Sequence, residues 1–225
     1  MLQFADFQDR IGCMRPDRLP REWQIAFQIA ARRVCEETFA LQQQVQFTMP
    51  LGDTSQELLF TDENGVTMVS VYIFKAQYQD EQGRWNALNQ LNQAKMRDHT
   101  HAVTPQQGVM RGFTSEMGRF VPDHPPSVDT QVQVLAAFKP VGDFDLIDLG
   151  PDFEDVLVAG ALSHLLRLPG AERNIEHAGA EEAKFIAMAS GLRGTTLVGD
   201  VGYARASRSP RRRRLGLDLT NVLTY

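Results

Sequence analysis

Five histidines and two cysteines are the residues of this 225-residue chain best suited to chemistry. His99 and His101 stand two apart in "RDHTH", with His124 further along. On a strand that spacing turns both rings to one side, as a shared metal ion requires. No cysteine or acid completes the ligand set, so the pattern predicts surface histidines and no metal. The acidic run "GDFDLIDLGPDFED" lacks the central glycine and terminal glutamate of a calcium loop. Its Asp152, Glu154 and Asp155 are accounted for as acids at a helix start. "GLRGTTLVGD" has no lysine after its glycine and no apolar strand before it, so it is not a phosphate-binding loop. His164 falls on an apolar helix face, where a core or interface histidine is the simpler reading than a base. There is no G-x-S-x-G elbow and no cysteine with a placed histidine. These residues predict no catalytic site, no cofactor and no enzyme.

The charge balance points elsewhere. The chain carries −5 overall, but seven arginines and two aspartates from Gly191 to Tyr225 make that segment +5 and leave −10 on the rest. An acidic body with a basic tail suggests that the tail meets something acidic. Cys13 and Cys35 are too few for a disulfide framework and are expected to be reduced thiols of an intracellular protein. The opening "MLQFADFQDR" has neither a basic start nor an apolar run, so no secretory leader is expected. No stretch approaches the ~18–20 apolar residues that span a bilayer, so no membrane contact is expected.

The elements that would position these residues follow from periodicity. "PREWQIAFQIAARRVCEETFA", Pro20–Ala40, reads as a helix with Trp23, Phe27, Ala30, Ala31, Val34 and Thr38 on one face. Pro20 suits its first position. Leu2–Ile11 reads as a shorter helix before it. The period then becomes two: Val45, Phe47 and Met49 alternate with polar neighbours. "ELLF" reads as the returning strand, and Asn64-Gly65 as a hairpin turn. "VTMVSVYIFKA" has the composition of a central strand buried on both faces. "NALNQLNQAKM" reads as a short helix with Leu88, Leu91 and Met96 inward. "GVMRGFTSE" reads as a strand, "FVPDHPPSVDT" as a proline-rich loop, and "TQVQVLAAFKP" as a strand facing Val132, Val134, Ala136 and Phe138 inward.

A helix is expected from Gly150 to Leu168, with Phe153, Leu157, Gly160, Ala161, His164, Leu165 and Leu168 as its buried stripe. A second, from Asn174 to Leu192, has Ala178, Ala183, Ile186 and Ala189 as its seam, and the short link makes the pair an antiparallel hairpin. The fold class is α+β. It comprises a helical body (residues 1–40 and the hairpin in 141–194), an inserted antiparallel β-rich domain (41–140) and an extended arm (195–225). In the arm, "SRSPRRRRLGLDLTNVLTY" changes abruptly from basic to period-two apolar.

The helix "PDFEDVLVAGALSHLLRLPG" followed by "EHAGAEEAKFIAMASGLRG" resembles the C-terminal helical hairpin of phage head-to-tail adaptor proteins, the group of the tail tubular protein A of podophages. "LPREWQIAFQIAARRVCEETF" is similar to that family's N-terminal helix. "GVTMVSVYIFKA", "PQQGVMRGF" and "VQVLAAFKP" are similar to its strands. The resemblance covers residues 7–193.

The resemblance implies a structural virion protein without catalytic residues. It would form a closed ring of about twelve copies by repetition of one heterologous contact. The ring would sit at the phage neck after assembly in the host cytoplasm. It would bind the portal protein on one side and a downstream tail or nozzle protein on the other. Double-stranded DNA would pass through the lumen without sequence-specific binding, and an acidic wall would keep the duplex from sticking. Gly160, Ala161, His164, Ala183 and Ala187 would serve subunit packing around the ring. In the arm, Arg211, Arg212, Arg213 and Arg214 would steer onto an acidic partner. Leu215, Leu217, Leu219, Val222 and Tyr225 would then hold it by strand addition or pocket filling. The alternative is a nucleic-acid-binding protein acting through its basic tail. The −10 on the body speaks against it, because such a protein also needs basic residues on the folded part.

Overall fold

The computed structural model describes residues 2–91, 108–170 and 174–200. The protein is α+β. Its described residues divide into two compact units, one of 2–41, 61–68, 139–170 and 174–200, the other of 42–60, 69–91 and 108–138.

In the first unit, β1 (Leu2–Gln3) pairs antiparallel with β9 (Leu146–Ile147), and α1 (Phe4–Met14) follows at once. The helix therefore starts later than Leu2 and ends later than Ile11. The reason is that Leu2 and Gln3 are held extended by their ladder, and the Phe4 amide donates to the Asp145 carbonyl at 2.7 Å. α2 spans Pro20–Thr38 with Pro20 in its first turn. Its Glu22 carboxylate accepts the Leu19 amide at 2.9 Å, which satisfies one of the donors a helix start leaves open. α2 ends at Phe39, which sits left-handed at φ +55°. Phe27 is the hub of the core, with the rings of Phe4, Phe7 and Phe144 at 5.8, 5.2 and 6.2 Å. Burying a side chain of that size contributes roughly 1.5–3 kcal/mol.

A 3-10 turn, Pro151–Phe153, leads into α3 (Glu154–Arg167), and α4 covers Ile175–Asp200. α2, α3 and α4 pack pairwise against one another. The single stripe expected for α3 is not what forms: every residue from Val156 to Ser163 is buried. A helix apolar all round is one covered all round. The seam of α4 is also shifted. Ala178, Phe185 and Ala189 are buried, whereas Ala183 and Ile186 are exposed. With alanine on every side of this helix, composition does not set the phase; the one large ring, Phe185, does. α4 also runs beyond Leu192, to Asp200.

The second unit holds most of a sheet ordered β2-β8-β4-β5-β6-β7, with β3 beside β4. The strands are β2 (Leu41–Met49), β3 (Leu59–Thr61), β4 (Thr67–Gln79), β5 (Trp85–Gln90), β6 (Gly112–Glu116), β7 (Arg119–Pro122) and β8 (Thr130–Pro140). β8 buries Val132, Val134, Ala136 and Phe138, as its alternation predicts. β4 is central but only Met68, Ser70, Ile73 and Ala76 are buried, so its two faces are not both in a core.

Four other expectations are corrected. "ELLF" contributes a strand that pairs with β4 and not with β2, because the turn after Thr61 folds it there. Trp85–Gln90 is a strand, not a helix: the turn at Asp80–Gly83 lays it antiparallel on β4, opposing Leu88 to Ala76, and Met96 lies outside the described residues. Ladder pairing outweighs the helical spacing of two leucines. Phe120–Pro122, read as loop, belongs to β7, which the Met117-Gly118 turn folds onto β6. The sheet is not wholly antiparallel, since β5 and β6 run parallel. Among the described residues no helix is long and apolar enough to cross a membrane.

Candidate interaction surfaces

Among the described residues no group of three His, Cys, Asp or Glu side chains is placed to hold a metal ion. His99 and His101 lie outside the described residues. His124 lies beside Asp123, Nδ1 to Oδ2 3.2 Å, and Asp123 Oδ1 accepts the amides of Arg111 and His124 at 3.0 Å, so this carboxylate organises a loop. Glu154 and Asp155, the acids at the start of α3, take Arg10 of α1 at 2.9 and 2.6 Å. The glycines of "GLRGTTLVGD" lie in α4, not in a loop. Both cysteines are free thiols; burial pushes the Cys35 thiol far up, which makes it a poor nucleophile.

What the helices build is a packed crossing. Gly160 of α3 faces Phe185 of α4 and Ala30 of α2; a Cβ at Gly160 would stand 3.0 Å from the Phe185 ring and 3.1 Å from Ala30 Cβ. Beside it, Arg33 of α2 forks onto Glu182 of α4, and its guanidinium lies 4.3 Å from the Phe185 ring centroid. Glu182 also accepts the buried Ser163 hydroxyl at 2.7 Å, and Arg167 stands 3.5 Å away. The hydrogen bonds from Arg33 above all hold the Glu182 carboxyl below its usual range. His164 is half-buried, and burial, then Arg167 and Arg33, push it below the usual imidazole value.

The loop between α1 and α2 closes over the end of α3. Arg18, 8% exposed, donates to the carbonyls of Pro169 and Leu168 at 2.9 and 3.0 Å. Leu168 is the C-cap of that helix, so its carbonyl is one that a helix end leaves without an intrahelical partner, and Pro169 follows it in the chain. Arg18, Arg33 and Glu182 were not singled out by sequence. Their partners lie about 150 positions away, and no short-range pattern marks such pairs.

Of the five residues expected at a ring contact, Gly160 and Ala161 are buried within the unit and His164 is half-buried. Ala183 and Ala187 are exposed. They lie on the outer face of α4 with Gly179, Ser190 and Ile186, the last 54% exposed. A cleft of about 680 Å³ also opens among α1, α3 and α4, floored by Val158, Leu162 and Leu166 and edged by Arg10, His177 and Lys184. The arm residues Arg211, Arg212, Arg213, Arg214, Leu215, Leu217, Leu219, Val222 and Tyr225 lie outside the described residues. No protein-family model matches the chain, and no curated protein matches it.

Proposed function

We propose that the protein is a head-to-tail adaptor of a phage, a ring-forming structural protein that joins the portal to the tail and extends the DNA channel. The observation that carries this reading is the outer face of α4. Val156 to Ser163 of α3 are buried, and Glu182 and Phe185 of α4 turn toward α2 and α3. Gly179, Ala183, Ile186, Ala187 and Ser190 are left uncovered. A face of small residues around one isoleucine admits a neighbouring helix closely, and one such contact repeated by rotation closes a ring. The helical body made by α2, α3 and α4 is the part that would pack around that ring. The acidic balance suits a wall facing DNA, and the basic, then leucine-rich, C-terminal segment suits a docking arm onto the portal.

The test is particle mass and shape, measured on the protein alone and after mixing with the portal of the same virus. Rings under the electron microscope, or a complex of portal and this protein in stoichiometric amounts, are the expected result. A protein that stays monomeric with the portal present, and binds duplex DNA with a steep salt dependence, would overturn the reading in favour of the basic-tail alternative.

A further inference from the structure

The sheet ends on two edge strands, β2 and β7, and they are finished differently. β7 is four residues long, carries Arg119 and Pro122, and is taken on its outer side, where Gln56 and Phe120 exchange both amide-to-carbonyl bonds at 2.8 Å. Short length, charge, proline and a covering segment are the devices that keep an edge from pairing with another chain. β2 has none of them. It is nine residues long, Leu41–Met49, with no charge and no proline, and among the described residues β8 is its one strand partner. Its two faces define what would fit beside it. Val45, Phe47 and Met49 lie on the core side: the Phe47 ring meets Phe120 at 5.7 Å, and Met49 is fully buried. Val45 and Phe47 are only half-buried, whereas Val132, Val134 and Ala136 of neighbouring β8 are covered. The core is therefore open along this edge. The opposite side is polar and uncharged, with Gln46 donating to Gln131 and Gln131 to Thr48. A strand added here needs apolar residues at alternate positions and small or polar ones between them.

Beyond Asp200 the sequence supplies that alternation: Leu215, Leu217 and Leu219 are interleaved with Gly216, Asp218 and Thr220. Leu215 stands 15 positions past the end of α4, a length of chain that spans up to about 50 Å when extended. We propose that Leu215–Thr220 of one copy adds as a strand to the β2 edge of the next copy, with its leucines beside Val45 and Phe47 and Asp218 on the glutamine side. Main-chain hydrogen bonds supply the affinity, and the alternate leucines fix the register. Each copy offers one arm and one edge. The contact is heterologous, and repeated around a ring it leaves no edge open. This rests on the ring reading and seats the leucines on a neighbour, leaving Arg211–Arg214 for the portal.

The experiment follows amide hydrogen exchange by mass spectrometry on fragments covering Leu41–Met49, in full-length protein mixed with the portal. The outward-facing amides of β2 should exchange at least about tenfold more slowly in the assembled native protein than in a Leu217→Lys, Leu219→Lys double variant. The melting midpoints of the two unassembled proteins should agree, since the substitutions lie outside both compact units. Heavy-nitrogen-labelled copies of the double variant are then mixed with unlabelled native copies. Their own β2 is intact, so it should gain protection from the arm of a native neighbour. Protection confined to the native copies would seat each arm on its own β2 and overturn the proposal. Equal protection in the double variant alone would show that the leucines do not cover the edge, and also overturn it. Native rings whose β2 exchanges as fast as in the monomer would overturn the arm contact and leave the ring reading standing. A native protein that stays monomeric with the portal present would overturn both.

Discussion

Gly160 and Phe185 meet where α3 crosses α4, so closely that a Cβ on the glycine would stand 3.0 Å from the ring. Phe185 is fully buried, and Ala30 closes the other side at 3.1 Å. Gly160→Ala should therefore lower stability even though alanine is the better helix former. Overpacking costs about 1–3 kcal/mol, against about 1 kcal/mol gained in propensity. The net loss expected is about 1 kcal/mol, read as the shift in a urea midpoint. A midpoint that rises would show that the three helices have slack at this crossing.

Glu182 should carry part of the acid sensitivity of the fold. Its carboxyl is held below its ordinary value of 4.5, chiefly by hydrogen bonds from Arg33. A depressed carboxyl stabilises the fold above its unfolded pKa and loses that contribution as pH falls through the folded one. Glu182→Gln keeps the shape but not the charge, and should cost about 1–3 kcal/mol at neutral pH. The difference from the native protein should shrink as pH drops below 4.5. Chemical denaturation at pH 7, 5 and 3.5 measures it; a difference constant over that range would rule out the linkage.

Which features were legible in the sequence follows from how local their cause is. α2 and β8 were, because Trp23, Phe27, Ala30 and Val34 on one, and Val132, Val134 and Ala136 on the other, each repeat at the period of their element. β5 was not: two leucines three apart imitate a helix, and only the turn at Asp80 and the partner strand decide otherwise. The phase of α4 was hidden by alanines on all its faces. Glu182 and Arg33 lie 149 positions apart, so neither reads as anything but a surface charge until α2 and α4 are packed. The acids at the start of α3 are legible as a local feature, but their partner Arg10, 144 positions from Glu154, is not.

His164 should act at milder pH and with the opposite ionisation. Burial, then the cations Arg167 and Arg33, lower its pKa below the ordinary 6.5. Its neutral form is therefore favoured in the fold, and unfolding takes up a proton. The stability of the native protein should fall as pH drops from 6.5 through the folded value, and His164→Gln should flatten that part of the curve. Melting midpoints at half-unit steps from pH 7.5 to about 5 test this. An unchanged slope in the variant would assign the pH dependence to another group.

Gly65 and Gly118 share a φ of +79°, yet alanine at the two should behave very differently. Both would suffer the left-handed backbone, about 1–2 kcal/mol. At Gly65 nothing lies within 4 Å of the new Cβ, so the loss should stop there. At Gly118 the Cβ would lie 2.0 Å from the Ser70 carbonyl oxygen, a backbone atom of central strand β4 that cannot step aside. The β6–β7 turn would have to lift away and abandon the Ser70 hydroxyl, which donates to the Gly118 carbonyl from a buried position. Gly118→Ala should thus cost more than about 4 kcal/mol, the range reserved for clashes and broken buried networks. Urea midpoints of the two variants measured side by side decide it. Equal losses would mean that the turn is not seated on β4.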